Sequence, residues 1–157
     1  MQQLAFLGVA LLALFGELSA QTNKRQQKFN LSSKQVAIQG YDPVAYFNQA
    51  KAEEGKAAYA VMHDGITYYI SSPQNRAAFV AQPSKYEPQY GGWCAYAMGA
   101  TGEKVAVDPE TFKIVNGKLF LFYNKYFNNT LKSWNNQEQN LNAKADANWA
   151  KIYNKPS

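Results

Sequence analysis

One stretch of the 157-residue sequence concentrates its reactive chemistry. The run Tyr90-Gly91-Gly92-Trp93-Cys94-Ala95-Tyr96-Ala97-Met98 holds the single cysteine, the Gly-Gly pair and three aromatic residues. Cys94 and Met98 are four positions apart, so a helix opened by the Gly-Gly turn sets thiol and thioether one turn apart on one face. Soft sulfur donors select Cu(I), which makes copper the candidate metal. The third ligand must come from elsewhere, and His63, the only histidine, is the candidate; Met62 is an alternative thioether on the opposite face of the same strand. Zinc fits less well, because a structural zinc site takes four Cys or His ligands and the chain has two such residues. Two other readings stay open. Cys94 and Met98 can be a small thiol and a gap-filling thioether inside an aromatic core. Cys94 can also be a redox-active or nucleophilic thiol with His63 as its base, although the sequence offers neither a group to orient that base nor a resolving cysteine.

The elements that must position these residues are marked by local signals. Val36, Ile38 and Tyr41 read as a short extended entry, after which Asp42 caps a helical turn over Val44 to Asn48, with Pro43 at its first position. Asp64-Gly65 joins two strands, Ala58 to His63 and Ile66 to Ser71. Ser72-Pro73 opens a helix that carries Ala77, Ala78 and Phe79 on its apolar side and stops before Pro83. Val105 to Val107 is extended and Asp108-Pro109 is a turn. Asn116-Gly117 joins a second pair of strands, Thr111 to Val115 and Lys118 to Tyr123. The second of these is apolar on both faces and should be covered on both. Helical spacing links Tyr126, Phe127, Leu131 and Trp134, and again Leu141, Ala145, Trp149 and Ile152. The predicted fold is α+β: a small antiparallel sheet of two β-hairpins packed with several short helices.

Composition bounds the setting. Residues 1–20 contain an uncharged apolar run, Leu4 to Phe15, ending in Leu18-Ser19-Ala20, which reads as a cleaved signal peptide and predicts export to the periplasm or the extracellular space. The run is too short to span a bilayer comfortably, so no stable membrane insertion is expected after cleavage. Residues 21–35 are polar and lack apolar periodicity, so they read as a linker, and residues 36–157 as one domain. The chain has a net charge of +5, and one more once Glu17 leaves with the leader. Its Lys and Arg are scattered rather than gathered in a stripe, which argues against a nucleic-acid partner.

The phrases Gly40-Tyr41-Asp42-Pro43-Val44-Ala45-Tyr46-Phe47, the strand and helix from Tyr68 to Phe79, Tyr90 to Ala97, Asp108-Pro109-Glu110, Val115 to Leu119 and Lys144 to Trp149 occur in order. Together they resemble the exported branch of the YHS domain-containing proteins, from about Gly40 to Ile152. The resemblance implies a compact α+β module. The metal-transporter modules of that family, presumed to bind metal, carry cysteines at positions that match Ala45, Ser71 and Asn75 here. Their metal chemistry therefore does not transfer, and any soft-metal site must use His63 or Cys94; the candidate set is Cys94, His63 and Met98 or Met62. The expected role is non-enzymatic: a binding protein for a soft transition metal. The alternative is a small-molecule or protein binding module whose pocket is lined by Tyr41, Tyr46, Tyr68, Tyr90, Trp93 and Tyr96.

Overall fold

The computed structural model describes residue 17 and residues 19–156. The signal-peptide expectation therefore falls largely outside the described residues. Helix α1 (residues 19–28) comes first, and a bridged segment leads from it into α2 (Pro43–Asn48). Hairpin β1 (Lys56–His63) and β2 (Ile66–Ile70) follows, then α3 (Pro73–Ala81) and α4 (Pro83–Tyr86). A short 3-10 turn, Gln89–Gly92, precedes α5 (Ala95–Ala100). The second hairpin is β3 (Asp108–Val115) and β4 (Lys118–Phe122). A tiny third one, β5 (Asn124–Lys125) and β6 (Asn128–Asn129), leads into α6 (Thr130–Asn135) and α7 (Glu138–Asn154). The class is α+β, and the hairpins form separate two-stranded antiparallel ladders rather than one joined sheet.

Local chemistry explains most of these boundaries. The carboxylate of Asp42 accepts the Val44 N–H at 2.8 Å, and Ser72 Oγ accepts the Asn75 N–H at 3.1 Å, so each fills an orphan donor at a helix start. Proline follows each cap at the first helical position, where its missing N–H costs nothing. The turns at Asp64-Gly65 and Asn116-Gly117 have positive φ at both residues, as two-residue hairpins of this type require. Asp108-Pro109 is a correction: the pair lies at the start of β3, where Asp108 faces Phe122 and the register shifts before Phe112. Its turn-like chemistry survives locally, since Asp108 Oδ1 accepts the Glu110 N–H at 3.1 Å.

Residues 21–35 also differ from expectation. Instead of a linker they continue α1 to residue 28 and then dock on the domain. Arg25 pairs with Glu87, Trp93 Nε1 donates to Lys28 O at 2.8 Å, and the Asn30 N–H donates to Gly91 O at 2.9 Å. Phe29 meets Trp149 edge-on with ring centroids 6.0 Å apart. These anchors are a guanidinium, backbone carbonyls and one ring, so no apolar periodicity announces them.

Strand β4 divides the core. Its residues alternate by face, as any strand's do. Leu119 and Leu121 join one buried cluster with Val44, Tyr46, Ile66, Tyr68, Phe79 and Cys94. Phe120 and Phe122 join the other with Met98, Trp134, Leu141 and Ala145. The expectation that β4 is covered on both faces is met, since its last four residues are all buried. In the second cluster α5 lies close against α7 at Gly99: a Cβ built there would sit 2.5 Å from Leu141 O, which is backbone and has no freedom to move aside. Gly99→Ala is therefore expected to destabilise the fold by about 1–3 kcal/mol through overpacking, read as a lower midpoint in urea with an unchanged slope. A loss within error would mean that α5 and α7 can separate freely.

Candidate functional site

Cys94 sits at the N-cap of α5, one residue beyond the Gly-Gly turn, and is fully buried. Its backbone is tied on both sides, with the Cys94 N–H donating to Val105 O at 2.9 Å and the Met98 N–H donating to Cys94 O at 3.0 Å. The sulfur is equally engaged. Sγ accepts the Tyr123 N–H at 3.3 Å and lies 3.4 Å from Thr130 Oγ1. The Thr130 hydroxyl gives its one proton to Tyr123 O at 2.8 Å, so in the Cys94–Thr130 pair the thiol is the donor. Sγ–H, Thr130 and the Tyr123 peptide thus form a small closed network beyond the end of β4.

That network underlies a pocket of about 270 Å³. Tyr96, Ala97, Val105 and Tyr123 supply its apolar walls, with the exposed Glu103 and Asn128 at its rim. Three larger depressions, of about 410, 470 and 340 Å³, touch none of Cys94, His63 and Met98.

The predicted metal ligands are not brought together. Met98 is one turn along α5 from Cys94, as the spacing requires, but its side chain packs in the second cluster beyond β4, while Cys94 belongs to the first. Helical proximity along the axis did not give a shared direction, because Cys94 is the cap and lies outside the helix proper. His63, at the end of β1, is absent from the walls of the Cys94 pocket. Its Nε2 lies 3.6 Å from Asp64 Oδ2, and its ring stands edge-on to Phe79 with centroids 6.5 Å apart. Met62 is 73% exposed beside it. Among the described residues no three His, Cys, Asp or Glu side chains gather where an ion could sit.

The aromatic candidates also divide. Tyr46, Tyr68 and Tyr90 are buried, with hydroxyls donating to Pro109 O, Glu87 Oε1 and Asp146 Oδ1 at 2.9, 2.6 and 2.9 Å. They are core residues with satisfied polar ends. Tyr96 alone of the six lines the Cys94 pocket, and Tyr90 borders the 410 Å³ depression. Sequence reasoning missed Val105, Tyr123 and Thr130, which reach Cys94 only through tertiary folding.

The three positions at which the resemblance would put cysteines have another use. Ala45 is fully buried in α2, while Ser71 and Asn75 converge on the fully buried Asp42. Asp42 Oδ2 accepts from Ser71 N, Ser71 Oγ and Asn75 Nδ2 at 2.9, 2.5 and 2.8 Å. A hydrogen-bonded carboxylate occupies the junction of α2, β2 and α3.

Compared with known proteins, the chain matches no family model, no curated protein and no solved structure.

Proposed function

We propose that this chain is a non-enzymatic, exported binding protein of the YHS-like kind, which holds a small apolar or planar molecule in the pocket above Cys94. The observation that carries this reading is the state of Cys94: its sulfur is buried, bonded to Tyr123 and Thr130, and lies beneath a pocket walled by Tyr96, Val105 and Tyr123. A thiol so placed supplies a polarisable floor to a mostly apolar cavity. The same burial argues against a nucleophile, which needs an accessible thiolate and a base within reach. Copper binding through Cys94, His63 and Met98 would require those side chains to rearrange around β4, so it is the weaker reading. The volume, just below the usual range for drug-sized ligands, suits a molecule of about indole size.

The test is titration of folded protein with indole, followed by amide resonances. Perturbations confined to Tyr96, Val105, Tyr123 and Thr130, and lost in Ala100→Trp, support the pocket; Ala100 lies exposed at its edge, so the variant should fold. Cys94 should resist iodoacetamide until denaturant is added. Scattered perturbations, rapid alkylation of folded protein, or tight Cu(I) uptake lost in Cys94→Ser would each overturn the reading.

A further inference from the structure

Three two-residue hairpin turns occur among the described residues. Two use the pairs that positive φ demands, Asp64-Gly65 with φ of 46° and 80° and Asn116-Gly117 with φ of 50° and 71°. The third, between β5 and β6, places Tyr126 and Phe127 in the same left-handed region, with φ of 53° and 62°. Bulky residues pay a steric penalty there that glycine does not. Nothing inside the fold compensates: Tyr126 is 88% exposed and Phe127 wholly so. The helical spacing that linked these residues to Leu131 and Trp134 is thus broken by a strained turn that pushes both rings into solvent.

The stalk beneath them is firm. Asn124 pairs with Asn129 and Lys125 with Asn128, and the Thr130 N–H donates to Tyr123 O at 3.0 Å. Strain held by a well-tied stalk, in the service of two exposed aromatics, marks a feature kept for contact with something else. Its size and charge narrow the choice. A specific protein interface buries on the order of 1,000 Å² or more of contiguous surface, and here the exposed apolar surface is two adjacent rings. A bilayer interface, by contrast, accepts isolated aromatic residues at headgroup depth. Lys125, next to the tip in the chain, is exposed, as is Lys132 in α6, and the chain carries a net charge of +5, which suits anionic headgroups.

We propose that the Tyr126–Phe127 tip is a peripheral anchor that seats reversibly at the headgroup boundary of an anionic lipid bilayer. Two rings and a few lysines give the combination of weak signals on which reversible attachment rests. Among the described residues no helix is long and apolar enough to cross a membrane. It does not depend on what the Cys94 pocket holds.

The decisive variant is Tyr126→Asn with Phe127→Gly, which restores the residue pair the turn prefers. The full chain is placed in bicelles containing phosphatidylglycerol, with a paramagnetic label on the lipid, and amide broadening is mapped. The expected result is selective broadening at residues 125–128, weaker in pure phosphatidylcholine and in Lys125→Glu. In the double variant it disappears while the protein melts at a higher temperature than the wild type. An unbroadened tip would overturn the proposal and favour a protein partner for the two rings. A double variant that melts lower would also overturn it, since the aromatics would then be stabilising the fold.

Discussion

Asp42→Ala is expected to cost about 3–5 kcal/mol of folding stability, the largest single loss of any residue outside the apolar core. The carboxylate has no exposed surface and receives four hydrogen bonds, from Val44 N on Oδ1 and from Ser71 N, Ser71 Oγ and Asn75 Nδ2 on Oδ2. Its own N–H donates to Glu53 O at 2.8 Å, which fixes the approach to α2. Truncation leaves four donors facing one another in a buried space. Each unsatisfied buried donor costs about 1–3 kcal/mol, and the total falls below their sum because Ser71 and Asn75 can still bond each other. Asp42→Asn should recover part of the loss, because its one carbonyl oxygen can take the place of Oδ2 before three donors while its NH2 then faces the Val44 N–H. Asp42→Ser should recover about 1 kcal/mol, the share due to capping Val44. Guanidinium unfolding of the three variants measures this directly. A loss under about 1 kcal/mol for Asp42→Ala would mean that the junction rearranges or admits water, and that the carboxylate is not what joins α2, β2 and α3.

The same junction shows what could be read in advance. Asp42 as a cap was legible because capping is local: the partner is two residues away. The two Gly-containing hairpin turns, the Ser72-Pro73 start of α3 and the long α7 were legible for the same reason. That Asp42 also gathers Ser71 and Asn75, 29 and 33 residues on, was not, because no periodicity connects them. The direction in which Cys94 and Met98 point was not legible, because it is set by tertiary packing. Cys94 and Met98 are correctly spaced for one helical face, yet β4 runs between the clusters they join. Likewise Tyr126 and Phe127 fit a helical stripe by spacing, and only the pairing of Asn124 with Asn129 shows that the chain turns there. The docking of residues 21–35 was not legible because its anchors, a guanidinium, backbone carbonyls and one ring, form no apolar periodicity.

Raising the pH past about 10 is expected to unfold this protein steeply, and the cause lies in its buried tyrosines. Burial pushes the Tyr68 hydroxyl well above its ordinary range, and the neighbouring Glu87 carboxylate, which accepts its hydrogen bond, pushes it further. Tyr46 is raised in the same direction, first by burial and then by the charges of Tyr41, Asp108 and Asp42 around it. Both folded pKa values therefore exceed the unfolded value of about 10. Stability from these groups is complete below that pH, where both states are protonated, and falls above it, where the unfolded chain releases protons that the folded chain retains. Each pH unit removes about 1.4 kcal/mol per tyrosine, so the pair removes about 3 kcal/mol per unit. Against the 5–15 kcal/mol typical of a domain, roughly two units suffice at the lower end. Guanidinium unfolding between about pH 9 and about pH 12 would record the slope, with phenolate absorbance reporting when the hydroxyls ionise. Tyr68→Phe should lower the slope by about 1.4 kcal/mol per pH unit, because Arg25 still holds Glu87 when the hydroxyl is gone. Stability that stays level above pH 10 would show that water reaches these rings and that the core around β2 is looser than its burial implies.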